Sequence, residues 1–214
     1  MTLKFIDLYN DITGQAWSMF DSETESKDDF EVSVITSIQK ALARLWFEYE
    51  YEFRKRTYTI KTKENKKDYS LPNGQIDRKK VVYNNDDLGY ISTTKGLEEK
   101  NGKPEYFYIK NDKIAFYPVP DDTYIIEVGY LSSMPACNKD DEEKANLTED
   151  DDYINIDEKY EDFFRNTLLP LSMMYLIASE TDENYSAYAW QYESALKQLK
   201  KCTTSVKVER VKGW

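Results

Sequence analysis

The chain has 214 residues, 40% of them hydrophobic and 14% aromatic, which fits one domain of ordinary size, or one domain with an insertion, and can support a core. A formal charge of −11 argues against a general affinity for nucleic acid phosphates, and the absence of histidine removes the commonest general base and metal ligand. Cys137 and Cys202 form no CxxC pair and read as reduced thiols. The N-terminal segment lacks a basic n-region, and no apolar run approaches the ~20 residues that span a bilayer, so the protein is expected to work in solution without a membrane.

Phe5, Leu8, Tyr9, Ile12, Ala16 and Phe20 recur at helical spacing and predict an amphipathic first helix, with Gly14 as a candidate break. A polar loop follows from Asp21. Asp28 or Asp29 is the expected cap of a longer second helix, whose apolar face is Ile35, Ile38, Leu42, Leu45, Trp46 and Tyr49. This helix is expected to end near Phe53, where Arg54, Lys55 and Arg56 complement the negative end of its dipole.

The pattern then changes to period two. Arg56–Thr62 alternates and is rich in β-branched and aromatic residues, so it reads as a strand. Pro72, Asn73 and Gly74 mark a turn. IDRKKVVYNN and Gly89–Ser92 are further strand candidates, with a loop at Asn84–Asp87, and Thr93–Lys103 is a polar loop. Tyr106–Ile109, a turn at Asn111-Asp112, and Lys113–Tyr117 predict a hairpin. Pro118–Asp122 reads as a rigid turn, and Thr123–Leu131 returns with Tyr124, Ile126, Val128 and Tyr130 on one face. Short loops predict an antiparallel meander of at least three strands.

From Lys139 to Asp152 eight acids stand against two lysines, a net −6, and the segment is expected to self-repel and stay solvated. Asp157 is the expected cap of a third helix with the stripe Tyr160, Phe163, Phe164 and Leu168. Pro170 removes one helical hydrogen bond, so this helix should kink or split. Met173, Met174, Leu176 and Ile177 continue an apolar run that implies burial from several sides. Asp182 can cap a fourth helix, with Tyr185, Tyr188, Tyr192, Ala195 and Leu199 along one face. From Lys197 the tail carries six basic residues against Glu209 and ends in Trp214.

These elements carry no recognisable chemistry. The acidic segment lacks the glycine and the D-x-D-x-D-G order of a calcium loop, so no metal is expected. Among 40 acids, carboxylate pairs arise by chance and no feature selects one, so no catalytic residue and no cofactor is assigned. The basic run Arg54–Lys67, with Tyr58 and Tyr69, could contact single strands but reads more simply as a solvated strand face. The tyrosines fit half-buried faces and protein interfaces better than sugar binding. The fold class is α+β: a helical bundle from N- and C-terminal helices with an inserted antiparallel β region. Its expected segments are 1–55 (N-terminal helices), 56–135 (β region), 136–153 (acidic loop), 154–201 (C-terminal helices) and 202–214 (basic arm).

The succession FYPVPDDTYIIEVGYLSSMP, acidic spacer, INIDEKYEDFFRNTLLPLSMMYLIAS and YAWQYESALKQLKK resembles the head-to-tail adaptor proteins of tailed phages, also called connector, head-completion or ring proteins. The compositional style, without His and rich in Tyr, Asn, Asp and Lys, is similar to structural proteins of crAss-like phages. The resemblance covers roughly Tyr106–Lys201. It implies a structural virion protein at the head–tail junction, assembled in the host cytoplasm. Neighbouring copies would form a ring, usually of twelve, that meets the portal protein on one side and downstream tail or ring proteins on the other. DNA would pass through the channel without specific binding. The 202–214 arm would reach the portal, with Lys201, Lys207, Arg210, Lys212 and Trp214 as its expected contacts. The alternative reading is an acidic DNA mimic that inhibits a DNA-processing enzyme; concentration of the acids in one spacer counts against it.

Overall fold

The computed structural model describes residues 2–17, 26–93, 98, 100–177 and 183–203. The protein is α+β, with four α-helices and three small sheets among the described residues. The chain divides into two compact units. One comprises residues 1–54 with 134–214, and the other residues 55–133.

The first unit contains the helices. α1 spans Phe5–Ala16, α2 Lys27–Glu48, α3 Glu161–Leu176 and α4 Glu183–Thr203. α1 packs on α2 and α3, and α3 packs on α2 and α4. The shared core is formed by residues three or four apart on each helix: Leu8 and Ile12, then Val34, Ile38, Leu42 and Leu45, then Phe164, Leu168 and Leu171, then Tyr192, Leu196 and Leu199. Trp46 and Phe53 close one end, with ring centroids 5.4 Å apart, and Phe53 meets Phe164 edge-on at 5.6 Å. Polar bonds pin the helix pairs. Arg165 Nε donates to Asp11 at 3.0 Å, joining α3 to α1, and the Tyr192 hydroxyl donates to Glu48 at 3.1 Å, joining α4 to α2.

Several local expectations are corrected. Gly14 does not break α1, because the roughly 1 kcal/mol a helical glycine costs is outweighed by burying Ile12 and Ala16 on either side of it. Pro170 does not split α3, which runs through it to Leu176; the proline is buried with Leu168 and Leu171, and that packing offsets the missing N–H. The cap of α2 is Ser26, whose hydroxyl accepts from the Asp29 N–H at 3.1 Å, rather than Asp28 or Asp29. α2 also stops at Glu48, with Tyr49 already extended. Asp157 leads into a 3-10 turn, Glu158–Tyr160, without a side-chain cap bond, and α3 begins only afterwards. Ile35 and Phe163, placed on apolar faces by spacing, are each 38% exposed, and Tyr175 is exposed in the apolar run after Pro170. Phe20 and Asp182 lie outside the described residues.

Among the described residues the second unit is built of two four-stranded sheets. β1 (Lys55–Lys61), β2 (Asp68–Ser70), β3 (Gly74–Tyr83), β4 (Asp86–Asp87), β5 (Gly89–Tyr90), β6 (Tyr106–Lys110), β7 (Lys113–Tyr117) and β8 (Ile125–Ser132) are arranged as β1-β8-β3-β4 and β2-β7-β6-β5. Ile60, Val81, Ile126 and Val128 of the first sheet share one apolar core with Phe107, Ile114 and Phe116 of the second. The β6–β7 hairpin turns on Asn111 and Asp112, both at positive φ (51° and 56°), and β3–β4 turns on Asn84 and Asn85 (50° and 66°). Asn and Asp tolerate this left-handed backbone, which matches the twist of a two-residue hairpin.

The expected meander is not present. β8 does not continue from β7, because both sides of β7 are occupied, by β2 and β6. The chain instead crosses through Pro118 and Pro120 to the other sheet, where β8 lies between β1 and β3. The region is also not wholly antiparallel. β5 pairs parallel with β6, and the fifteen residues between them suffice for a crossover.

Candidate partner-binding surfaces

The acidic segment, expected as a solvated loop over 136–153, carries short paired strands. It is an ordered structure belonging to the helical unit. β9 (Ala136–Cys137) pairs antiparallel with β10 (Glu143–Lys144) and β11 (Tyr153–Ile154). Leu147 is buried in the helical core. Six of the eight acids are exposed, as their mutual repulsion requires, but Asp152 is 1% exposed. Its carboxylate accepts from Lys144 Nζ at 2.5 Å and from the N–H groups of Thr148 and Glu149 at 2.6 and 2.9 Å. Burial pushes this carboxyl up, but the three hydrogen bonds together outweigh it and hold Asp152 below the usual carboxylate range. A second turn closes on Asn138, whose side-chain oxygen accepts from the N–H of Asp140 and of Glu142, both at 2.9 Å.

This segment also fixes the start of α1. The Phe5 N–H donates to the Asp152 carbonyl at 2.8 Å and the Ile154 N–H to the Leu3 carbonyl at 3.0 Å, so the residues before α1 add an extended edge beside β11. Lys4 Nζ meets Asp151 at 2.7 Å. A cleft of about 440 Å³ opens here, lined by Lys4, Lys139, Asp141, Asp151, Tyr153 and Glu161 among others. The Tyr153 hydroxyl donates to Asp141; burial first, and that bond second, raise its phenol above the ordinary value. Burial likewise raises the Glu161 carboxyl. The cleft sets charges side by side but holds no Ser, Cys or His beside a base.

In the basic run, residues that look alike in sequence have separate roles. Arg54 is buried, and its guanidinium donates to the carbonyls of Trp46 at 2.8 Å and Tyr49 at 3.0 Å, satisfying the C-terminal end of α2. Desolvation lowers its pKa from the ordinary arginine value. Tyr69 is no stacking platform. It is 7% exposed, and its hydroxyl accepts from the Lys63 N–H at 2.9 Å and donates to the Lys66 carbonyl at 2.8 Å. Tyr58 is exposed.

Exposed apolar side chains occur on helices and on strands, where Ile125 of β8 is 55% exposed. Trp190 of α4 is 72% exposed and lies half a turn away from Tyr192, Leu196 and Leu199. Val32 and Phe47 of α2 are 62% and 55% exposed. Of the expected arm contacts, Lys201 is exposed in the last turn of α4, whereas Lys207, Arg210, Lys212 and Trp214 lie outside the described residues. Cys137 and Cys202 form no disulfide; burial raises the thiol of Cys202.

Among the described residues no group of three or more His, Cys, Asp or Glu side chains could hold a metal ion, and no helix is long and apolar enough to cross a membrane. No curated protein matches the chain. The family described as SU10 adaptor protein matches residues 6–210 and so takes in both units, the acidic segment and all four helices. The chain belongs to the SU10 adaptor protein family, structural adaptors of phage particles.

Proposed function

We propose that this protein is the ring-forming adaptor that joins the portal to the tail. Copies assemble side by side into a ring, usually of twelve, and DNA passes through its channel without specific binding. The helical unit, with the β unit inserted between α2 and α3, forms the wall of the ring. The observation that carries the reading is the family match over residues 6–210, which spans nearly the whole chain. The outward Trp190, Val32 and Phe47 support it, since a ring needs extended complementary faces on every copy and exposed aromatics are common interface anchors. Exposed acids on the segment before β11 would repel DNA rather than hold it.

The arm from residue 202 docks on the portal through Lys201, Lys207, Arg210, Lys212 and Trp214. Its basic character and terminal tryptophan support this placement. The test is the mass of the particle formed with and without portal rings, read by analytical ultracentrifugation. Assembly on the portal is expected; a chain that stays monomeric beside the portal at every concentration refutes the reading. Removing Ser205–Trp214 should abolish portal docking and leave the circular dichroism unchanged. Undiminished docking by the shortened chain refutes the role of the arm.

A further inference from the structure

The ladder between β3 and β8 breaks once. Ile76 stands opposite Tyr130 and Val81 opposite Val128, so Asp77, Arg78, Lys79 and Lys80 together face only Gly129. Such a bulge pushes the extra residues off the sheet. Two features show that it is built into the structure. The Asp77 side chain accepts from the Lys79 N–H at 3.0 Å and closes the turn. Opposite it, a Cβ on residue 129 would lie 2.7 Å from Lys80 Cβ and 3.3 Å from the Lys80 carbonyl oxygen, so the bulge seats only over glycine.

The bulge therefore presents Arg78, Lys79 and Lys80 in a row, all exposed. Arg78 lies over the Tyr90 ring, 4.3 Å from its centroid, which fixes one of the three charges in place. None of the three makes an ion pair among the described residues. Three adjacent unpaired cations repel one another, and a preformed turn that holds them together fits an anionic partner.

The chain itself carries such a partner. Residues 55–133 contain 14 basic and 12 acidic residues, and the rest of the chain 15 and 28, giving +2 and −13. The negative excess is densest in the ordered segment before β11. There Asp140, Glu149 and Asp150 are exposed and make no ion pair among the described residues. Their turns are fixed by Asn138 and Asp152, so these charges too are held in place.

We propose that the Arg78–Lys80 bulge docks on the Asp140–Asp150 turns of a second copy of this chain, making a charge-specific contact between neighbours. The proposal rests on the ring reading above and deepens it by naming a contact. Duplex DNA is the other anion within reach of such a ring, and the test separates the two.

Unlabelled and ¹⁵N-labelled copies are mixed, assembled, and coupled with a carbodiimide that joins amines to carboxylates without a spacer. Peptides of mixed isotope joining Lys79 or Lys80 to Asp140, Glu149 or Asp150 are expected. The variant R78E/K79E/K80E should assemble at least tenfold more weakly. Mixing it with a D140K/E149K/D150K variant should restore assembly. A triple variant that assembles as the parent does, with the same dependence on salt, overturns this contact and leaves the ring standing. A parent that never self-associates, alone or on portal, overturns both. Weaker binding of duplex DNA by the triple variant with unchanged assembly also overturns the contact, in favour of phosphates. The cross-linking arm uses the parent chain and does not depend on how the variants fold.

Discussion

Replacing Asp152 by alanine removes the acceptor of four hydrogen bonds at once, from Lys144, the Thr148 hydroxyl and the backbone N–H groups of Thr148 and Glu149. Losing hydrogen bonds to a charged, buried carboxylate costs about 2 kcal/mol, which should lower the midpoint of thermal unfolding by several degrees. The same group predicts an acid dependence. Its folded pKa lies below the ordinary carboxylate value, so its contribution is complete above that value and lost as pH falls through the lowered one. The parent should therefore lose stability more steeply than the alanine variant below the ordinary carboxylate range, as read from urea midpoints across pH. Composition could not single this residue out. Asp152 is one of eight acids within fourteen residues, and what separates it from Asp150 or Asp151 is a turn that brings Thr148 and Glu149 N–H groups onto one oxygen. Arg54 is the parallel case among the cations. Its place after α2 was legible from the helix dipole, but its burial was not, because burial depends on α2 ending at Glu48 and the chain turning back.

At the scale of elements, the helices were readable because their signal is local. Leu8 and Ile12, or Ile38, Leu42 and Leu45, fall three or four apart, and the structure buries them together. Strand existence was equally local: β1, β3, β6, β7 and β8 lie where alternation placed them. Strand partnership was not, since whether β8 joins β7 depends on β2, some fifty residues earlier, having taken that edge. The order of the acidic segment was hidden for a similar reason, because it depends on pairing with residues 3–5 at the other end of the unit. Trp190 gives an element-scale prediction. Its side chain faces away from the α4 contacts, so alanine there should leave unfolding within about 0.5 kcal/mol of the parent. A buried interface tryptophan commonly contributes 2 kcal/mol or more to binding, so sedimentation should show assembly weakened at least tenfold. Equal assembly by the two chains would remove Trp190 from the interface.

For the molecule as a whole, the decisive arrangement is one unit inserted into another. The β unit enters through β1 and leaves through β8, and Lys55 stands directly opposite Leu131 in that pair. Its two ends are therefore neighbouring strands, roughly 5 Å apart. A chain of residues 55–133 alone is expected to fold with a β-type circular dichroism spectrum and a cooperative transition. Its two sheets share their own core, which includes Phe107, Ile114, Phe116, Ile126 and Val128. Joining Arg54 to Met134 through a short glycine linker should likewise leave a helical unit that melts cooperatively. Failure of either piece to fold would mean that the two cores are one cooperative system.

The insertion also has a consequence for synthesis. α2 leaves the ribosome with Val34, Ile38, Leu42 and Leu45 along one side, but its packing partner α3 begins only at Glu161. At ~5–20 residues per second, the wait is roughly 6 to 20 seconds. During that time the whole β unit is made and can close its own core, while the first helices have only each other. The nascent chain thus carries an open apolar helix past a finished sheet, and the helical core can be completed only when the C-terminal helices arrive.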